Sequence, residues 1–96
     1  MIVSFGDRAT EDLFHGIRSN RARRFPANIV EAALVKLDVL NAAQVLEDLR
    51  SPPGNRLVAL RGGLRGFYSI RINNQWRIIF RWQASEAHEV RIVDYH

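Results

Sequence analysis

The sequence predicts an α+β domain, with two N-terminal helices packed on a mainly antiparallel, twisted β-sheet in the order β-α-α-β-β-β-β. Three observations point there. Apolar residues in the first half recur at helical spacing. The tandem Pro52-Pro53 then divides the chain, because consecutive prolines cannot continue a helix. Beyond it the apolar period falls to two, the period of a strand. With 96 residues there is room for one domain, spanning 1–96, so both halves must share one core.

The elements follow in chain order. Ile2-Val3-Ser4-Phe5 is short and β-prone, and Gly6-Asp7 ends it as a first strand. Thr10 is placed to cap the first helix, with Glu11 and Asp12 at its positive end. Leu13, Phe14 and Ile17 form its apolar stripe, which Gly16 weakens. The basic stretch from Arg18 to Arg24 leads to a second helix with Pro26 in its first turn, a favoured early position. Ile29, Val30, Ala33, Leu34, Leu37 and Leu40 give that helix one apolar face. A further helical turn is expected around Val45, Leu46 and Leu49, and Ser51 to Asn55 closes the helical half.

Leu57 to Leu60 is a short candidate strand, ended by Arg61-Gly62-Gly63. Gly66 to Ile72 and Gln75 to Trp82 then read as a hairpin through Asn73-Asn74, residues that tolerate positive φ. In its second arm Trp76, Ile78, Phe80 and Trp82 share one parity and Arg77, Ile79 and Arg81 the other. The first set is expected to form most of the core beneath the helices. Ala87 to Val93 supplies the last strand, with Glu86 near its turn.

Composition narrows the class. Charged residues make 25% and apolar residues 47%, which excludes wholesale disorder and fits a globular domain. No apolar run approaches bilayer length, and the N-terminus lacks the pattern of a secretory signal. There is no cysteine, so disulfide scaffolds, thiolate metal sites and cysteine nucleophiles are excluded together. The net charge is +4, and Lys36 is the only lysine among 14 cations. Arginine grips phosphate and carboxylate at two points and stacks on bases, which suits a polyanionic partner. Arginine preference from a GC-rich genome explains the same count.

The candidate chemistry lies on the outward parity. Arg77 and Arg81 share a sheet face, Arg71 joins them from the neighbouring strand, and Arg61 stands on the preceding loop. Such a cluster repels itself unless an anion or acidic neighbours such as Glu86, Glu89 or Asp94 relieve it. The ending Asp94-Tyr95-His96 follows directly on a strongly β-prone run. Histidine trades protons near neutrality, tyrosine donates a hydrogen bond or stacks, and aspartate orients either. Beside arginines this is a kit for phosphodiester cleavage. His15 and His88 read as surface residues. No histidine pairing marks a metal site, and Gly62-Gly63 with Gly66 lacks the lysine and following helix of a phosphate loop.

The run Gly66-Phe67-Tyr68-Ser69-Ile70-Arg71-Ile72-Asn73-Asn74-Gln75-Trp76-Arg77-Ile78-Ile79-Phe80-Arg81-Trp82, with Ile92-Val93-Asp94-Tyr95-His96, resembles the HigB toxins of the RelE/ParE superfamily. The resemblance covers essentially the whole chain. It implies a RelE-like fold and a cytoplasmic bacterial type II toxin that cleaves messenger RNA on the 70S ribosome. It further implies silencing by a cognate helix-turn-helix, HigA-like antitoxin, through which alone operator DNA is contacted. Neither cofactor, metal nor membrane is implied. Residue by residue, the family's active-site basic residue falls on Arg61, the arginine after the hairpin tryptophan on Arg77, and the terminal triplet on Asp94, Tyr95 and His96. Arg61, Arg71, Arg77 and Arg81 are the expected RNA contacts. Two departures stand out: the family commonly has lysine at Arg61, and a histidine where this chain has Val58. Two alternatives remain: a ParE-like inhibitor of gyrase, which has no use for the terminal triplet, and an RNA- or ribosome-binding module without chemistry.

Overall fold

The computed structural model describes residues 1–95. Two helices, α1 (Arg8–Phe14) and α2 (Ala27–Ala42), precede four strands: β1 (Val58–Ala59), β2 (Phe67–Arg71), β3 (Trp76–Gln83) and β4 (Glu86–Asp94). The strands lie in the order β1-β2-β3-β4, and every neighbouring pair is antiparallel. The expected α+β architecture is therefore present. Among the described residues no helix is long and apolar enough to cross a membrane.

The first expected strand takes a different form. Residues 2 to 5 run parallel to β4 as two isolated bridges, Ile2 with Ala87 and Phe5 with Val90. The reason is a bulge in β4. Register steps from Ile79 opposite Arg91 to Arg81 opposite His88, two residues on β3 against three on β4. Glu89, at φ 53°, takes up the extra residue. The bulge also brings its carbonyl against Gly6, where a Cβ would stand 2.8 Å from the Glu89 oxygen. Only glycine accepts that approach.

Helix α1 is capped by Asp7, whose side chain accepts from the Thr10 backbone N–H at 2.8 Å. Thr10 is buried instead of capping, and its hydroxyl accepts from the Ile92 N–H at 2.9 Å, tying α1 to β4. The helix ends early because Gly16 adopts φ 74° and the Ile17 N–H returns to the Asp12 carbonyl. Ile17 thus lies outside the helix, 53% exposed. Pro26 stands one place before α2, as its cap residue. Ile29, Ala33, Leu37 and Leu40 form the buried face of α2. A 3-10 turn over Leu46–Arg50 supplies the expected extra turn. Buried Asn55 then fastens the loop, donating to the Leu49 and Ser51 carbonyls and accepting from Lys36 of α2.

The core joins that face of α2 to Ile70, Ile78, Phe80, Ala87, Val90 and Ile92 of the sheet. Each large side chain buried here contributes about 1.5–3 kcal/mol. Trp76 and Trp82 do not form most of the core as expected. They lie half-buried at its flanks, Trp76 edge-on to Phe25 with ring centres 6.1 Å apart. Ile79, expected outward with the arginines, is outward by parity yet only 1% exposed. Arg77 and Arg81 flank it along the strand, and Ser69 and Arg91 face it across the sheet. Long arginine stems cover apolar surface while their charged heads stay in water.

Candidate active site on the outer face of the sheet

The helices cover one face of the sheet and leave the other open. Outward parity places Ser69 and Arg71 of β2, Arg77 and Arg81 of β3, and Arg91 and Val93 of β4 on the open face. Val58 of β1 lies opposite Ser69, and Arg71 directly opposite Arg77.

At one end of this face sits Arg77. Its Nη1 donates to the Ser69 hydroxyl at 3.1 Å, and its Cζ lies over the Tyr95 ring, 4.8 Å from the centre. Tyr95 is held by its own backbone, which donates to the Gln75 carbonyl at 2.6 Å. The strand thus extends its pairing past Asp94 and fixes the ring. Asp94 accepts from Gln75 Nε2 at 3.1 Å, on the same hairpin end. Arg71 donates to the side-chain oxygen of Asn74 in the turn. Among the described residues neither Arg71 nor Arg77 is ion-paired to a carboxylate. Two like charges opposite each other in register, each held by a neutral acceptor, make a pair that an anion would relieve.

The other end differs. Arg81 pairs with Glu89 at 2.9 Å and covers the Phe67 ring, its Cζ 4.3 Å from the centre. The bulge at Glu89 aims this carboxylate at the sheet face. Arg61 lies beyond this end of β1, since Leu60 still pairs with the Phe67 carbonyl at 2.8 Å. It is exposed, and its guanidinium makes no hydrogen bond or ion pair among the described residues.

Of the residues singled out in the sequence, the structure brings Arg71, Arg77, Asp94 and Tyr95 to one end of the face and sets Arg81 and Arg61 toward the other. His96 lies outside the described residues. His15 is exposed as expected, whereas His88 is half-buried, with an Nε2 that has no hydrogen-bond partner among the described residues. Sequence reasoning missed Ser69. The available signal was a small hydroxyl between Tyr68 and Ile70, in a run where β-branched apolar residues fit better. Among the described residues no group of three or more His, Cys, Asp or Glu side chains could hold a metal ion. A groove of about 740 Å³ lies in the helical layer, lined by Leu13, Ile17, Phe25, Val30 and Leu34. It carries none of this chemistry.

The chain as a whole is similar to known proteins. Residues 4–96 match the family of RelE-like toxins of the type II toxin–antitoxin system HigB. Toxin HigB-1 of Vibrio cholerae is 44% identical over 82 residues, 85% of this chain and 84% of its own. The Endoribonuclease HigB of Proteus vulgaris is 29% identical over 97 residues, the full length of both chains. Among solved structures, the YoeB–YefM complex from Staphylococcus aureus shares the fold at a TM-score of 0.61 and 16% identity, covering all of this chain and 98% of that one.

Proposed function

The chain belongs to the HigB family of RelE-like type II toxins, and from that premise we propose that it arrests growth by cutting translated messenger RNA on the ribosome. The Vibrio relative is a toxin by name and the Proteus relative an endoribonuclease by name, which supports this reading. The observation that supports it most is the Arg77–Tyr95 pair beside Arg71, cationic, open to solvent and free of carboxylate partners among the described residues.

The reaction is a transesterification. The RNA 2′-oxygen forms a bond to the adjacent phosphorus while the bond to the following 5′-oxygen breaks. One proton leaves the 2′-hydroxyl and one reaches the departing 5′-oxygen. Arg77 stabilises the extra negative charge on the phosphorane, and Arg61, on the loop beyond the far end of the face, is the second cation that the resemblance assigns to this role. His96 moves a proton, Tyr95 stacks on or orients the nucleotide, and Asp94 supports that end of the sheet. Arg71 extends the charged track for RNA, whereas Arg81, the other expected contact, has its charge paired with Glu89 and adds little to it. One proton shuttle gives about 10²- to 10⁴-fold. The ribosome supplies more by holding the message in line for attack, an orientation effect worth up to about 7–11 kcal/mol.

The partners follow: the 70S ribosome with its message, and a HigA-like helix-turn-helix antitoxin that silences the toxin and alone carries it to operator DNA. The compartment is then the cytoplasm. One observation favours a second reading: Val58 is 45% exposed on the site's face, where the family commonly has histidine. A chain without that group could occupy ribosomes without cutting. Sequencing RNA ends after brief induction, beside toeprinting on programmed ribosomes and a plasmid supercoiling assay, separates the readings. New 5′-hydroxyl ends inside open reading frames support the nuclease. Bound ribosomes with intact message support the binding module, and altered supercoiling supports a gyrase inhibitor.

A further inference from the structure

We propose that Ser69 is a positioning residue for the cleavage reaction, fixing the Arg77 guanidinium so that its unused N–H groups point at the scissile phosphate. The proposal rests on the nuclease reading above and adds to it a residue with no chemistry of its own.

The argument begins with burial. Ser69 is fully buried at the centre of the sheet, yet it faces the open side, between Val58 on β1 and Ile79 on β3. A hydroxyl buried between apolar neighbours is unfavourable unless it is hydrogen-bonded. Its side-chain partner is the Nη1 of Arg77, at 3.1 Å. From the other side the Tyr95 ring lies against the guanidinium, 4.8 Å from Cζ to ring centre. The hydrogen bond sets the direction of the fork, and the ring limits the room it has to move. Guanidinium has five N–H donors in a rigid plane, and one bond to Ser69 leaves the rest for two-point contact with phosphate. The acceptor is neutral. A carboxylate there would hold Arg77 as firmly but would cancel the charge that the phosphorane needs, as Glu89 does to Arg81.

Charge stabilisation in a transition state depends on donors already in place. Loss of the Ser69 oxygen therefore affects the chemical step more than binding, since a mobile arginine still attracts RNA. The experiment is single-turnover cleavage on programmed ribosomes over a range of toxin concentrations, with wild type, Ser69→Ala, Ser69→Thr, Arg77→Ala and the double variant Ser69→Ala/Arg77→Ala. Ser69→Ala is expected to lower the saturating rate about tenfold, and to shift the half-saturating concentration by about twofold at most. Ser69→Thr keeps the hydroxyl and restores the rate. Over Arg77→Ala, removing the hydroxyl has no further effect. Should Ser69→Ala fail to melt cooperatively, Ser69→Cys keeps the side chain's size but only a weak acceptor, and is expected to show the same loss. A wild-type rate in Ser69→Ala or Ser69→Cys overturns the proposal while leaving the nuclease reading intact. So does an equal loss with and without Arg77. Absence of cleavage by the wild type overturns the nuclease reading, and the proposal falls with it.

Discussion

Arg77 and Arg81 stand on one strand, point to one face and carry one charge, yet their surroundings differ. Arg77 rests between a hydroxyl and a phenol ring, neither of which neutralises it. Arg81 is paired with a carboxylate and laid over a phenylalanine. The first arrangement orients a cation and leaves its charge available, whereas the second consumes the charge in the fold. The difference originates in the neighbouring strand. At the Arg77 end β4 pairs regularly to Asp94 and carries Tyr95 alongside. At the Arg81 end the extra residue of the bulge turns Glu89 onto the face. Two arginines of equal sequence character thus differ in whether a carboxylate among the described residues takes up their charge.

The largest expected effects come from the residues proposed to carry the chemistry. Changing His96, which follows Tyr95 in the chain, to Gln is expected to slow cleavage by about 10²- to 10⁴-fold and abolish growth arrest, with an unchanged melting curve. Growth arrest at full strength by a well-expressed variant refutes the proton-transfer role. Arg77→Ala follows at about 10²- to 10³-fold in single-turnover cleavage. Arg77→Lys should fare little better, because an ammonium cannot replace a two-point fork. Arg61→Lys should be tolerated, as lysine is the family's usual residue there. Arg81→Ala, measured beside them, should stay within about threefold of wild type, since its charge is already paired. Equal losses at Arg77 and Arg81 would erase the distinction between the two ends.

Much of this was legible in the sequence, for reasons that individual residues make plain. The parity of Arg77 and Arg81 against Ile78 and Phe80 follows from strand period alone, so the open face and its arginines could be named beforehand. The turn at Asn73-Asn74 was equally local. Pairing across strands was not. Glu89 figured only as one of three acidic candidates, because its aim depends on a bulge that no local signal marks; glutamate is an unusual residue at positive φ. Thr10 suits a helix cap by residue type, but Asp7 takes that role, and the Thr10 hydroxyl instead accepts from Ile92, far along the chain. Ile79 falls on the wet face by alternation, yet it is 1% exposed, with Arg77 and Arg81 on either side along the strand and Ser69 and Arg91 opposite it. Ser69 carried a weak local signal whose meaning depended on Arg77 standing beside it.

A gentler test sharpens the comparison from the β1 side. Val58 is exposed opposite Ser69, on a short edge strand, and its replacement by histidine should leave the fold intact. If the Arg77 end is the reactive one, Val58→His adds an imidazole to its face and should raise single-turnover cleavage, by up to about tenfold at neutral pH, with less gain at acid pH where the imidazole is protonated. An unchanged rate at every pH would show that His96 and the arginines suffice.

The smallest expected effect is the most informative about the other end. Glu89 sits at φ 53°, a conformation that costs a non-glycine residue about 1 kcal/mol, and its partly exposed ion pair with Arg81 returns about 0–1 kcal/mol. The two nearly cancel, so Glu89→Gly should change stability by less than about 0.5 kcal/mol, within a few degrees in the melting temperature. What changes is the charge. Arg81 loses its carboxylate and becomes, like Arg77, a cation without an acidic partner among the described residues. Binding to single-stranded RNA or to ribosomes should then strengthen, and its dependence on salt should steepen by about 0.7 in log–log slope for one added phosphate contact. Cleavage of bound message should stay unchanged, because Arg81 gains charge without the hydroxyl and ring that orient Arg77. A steeper slope with a constant rate therefore separates the two things an arginine can offer here, attraction and aim. A rise in both would mean that charge alone distinguishes the two ends.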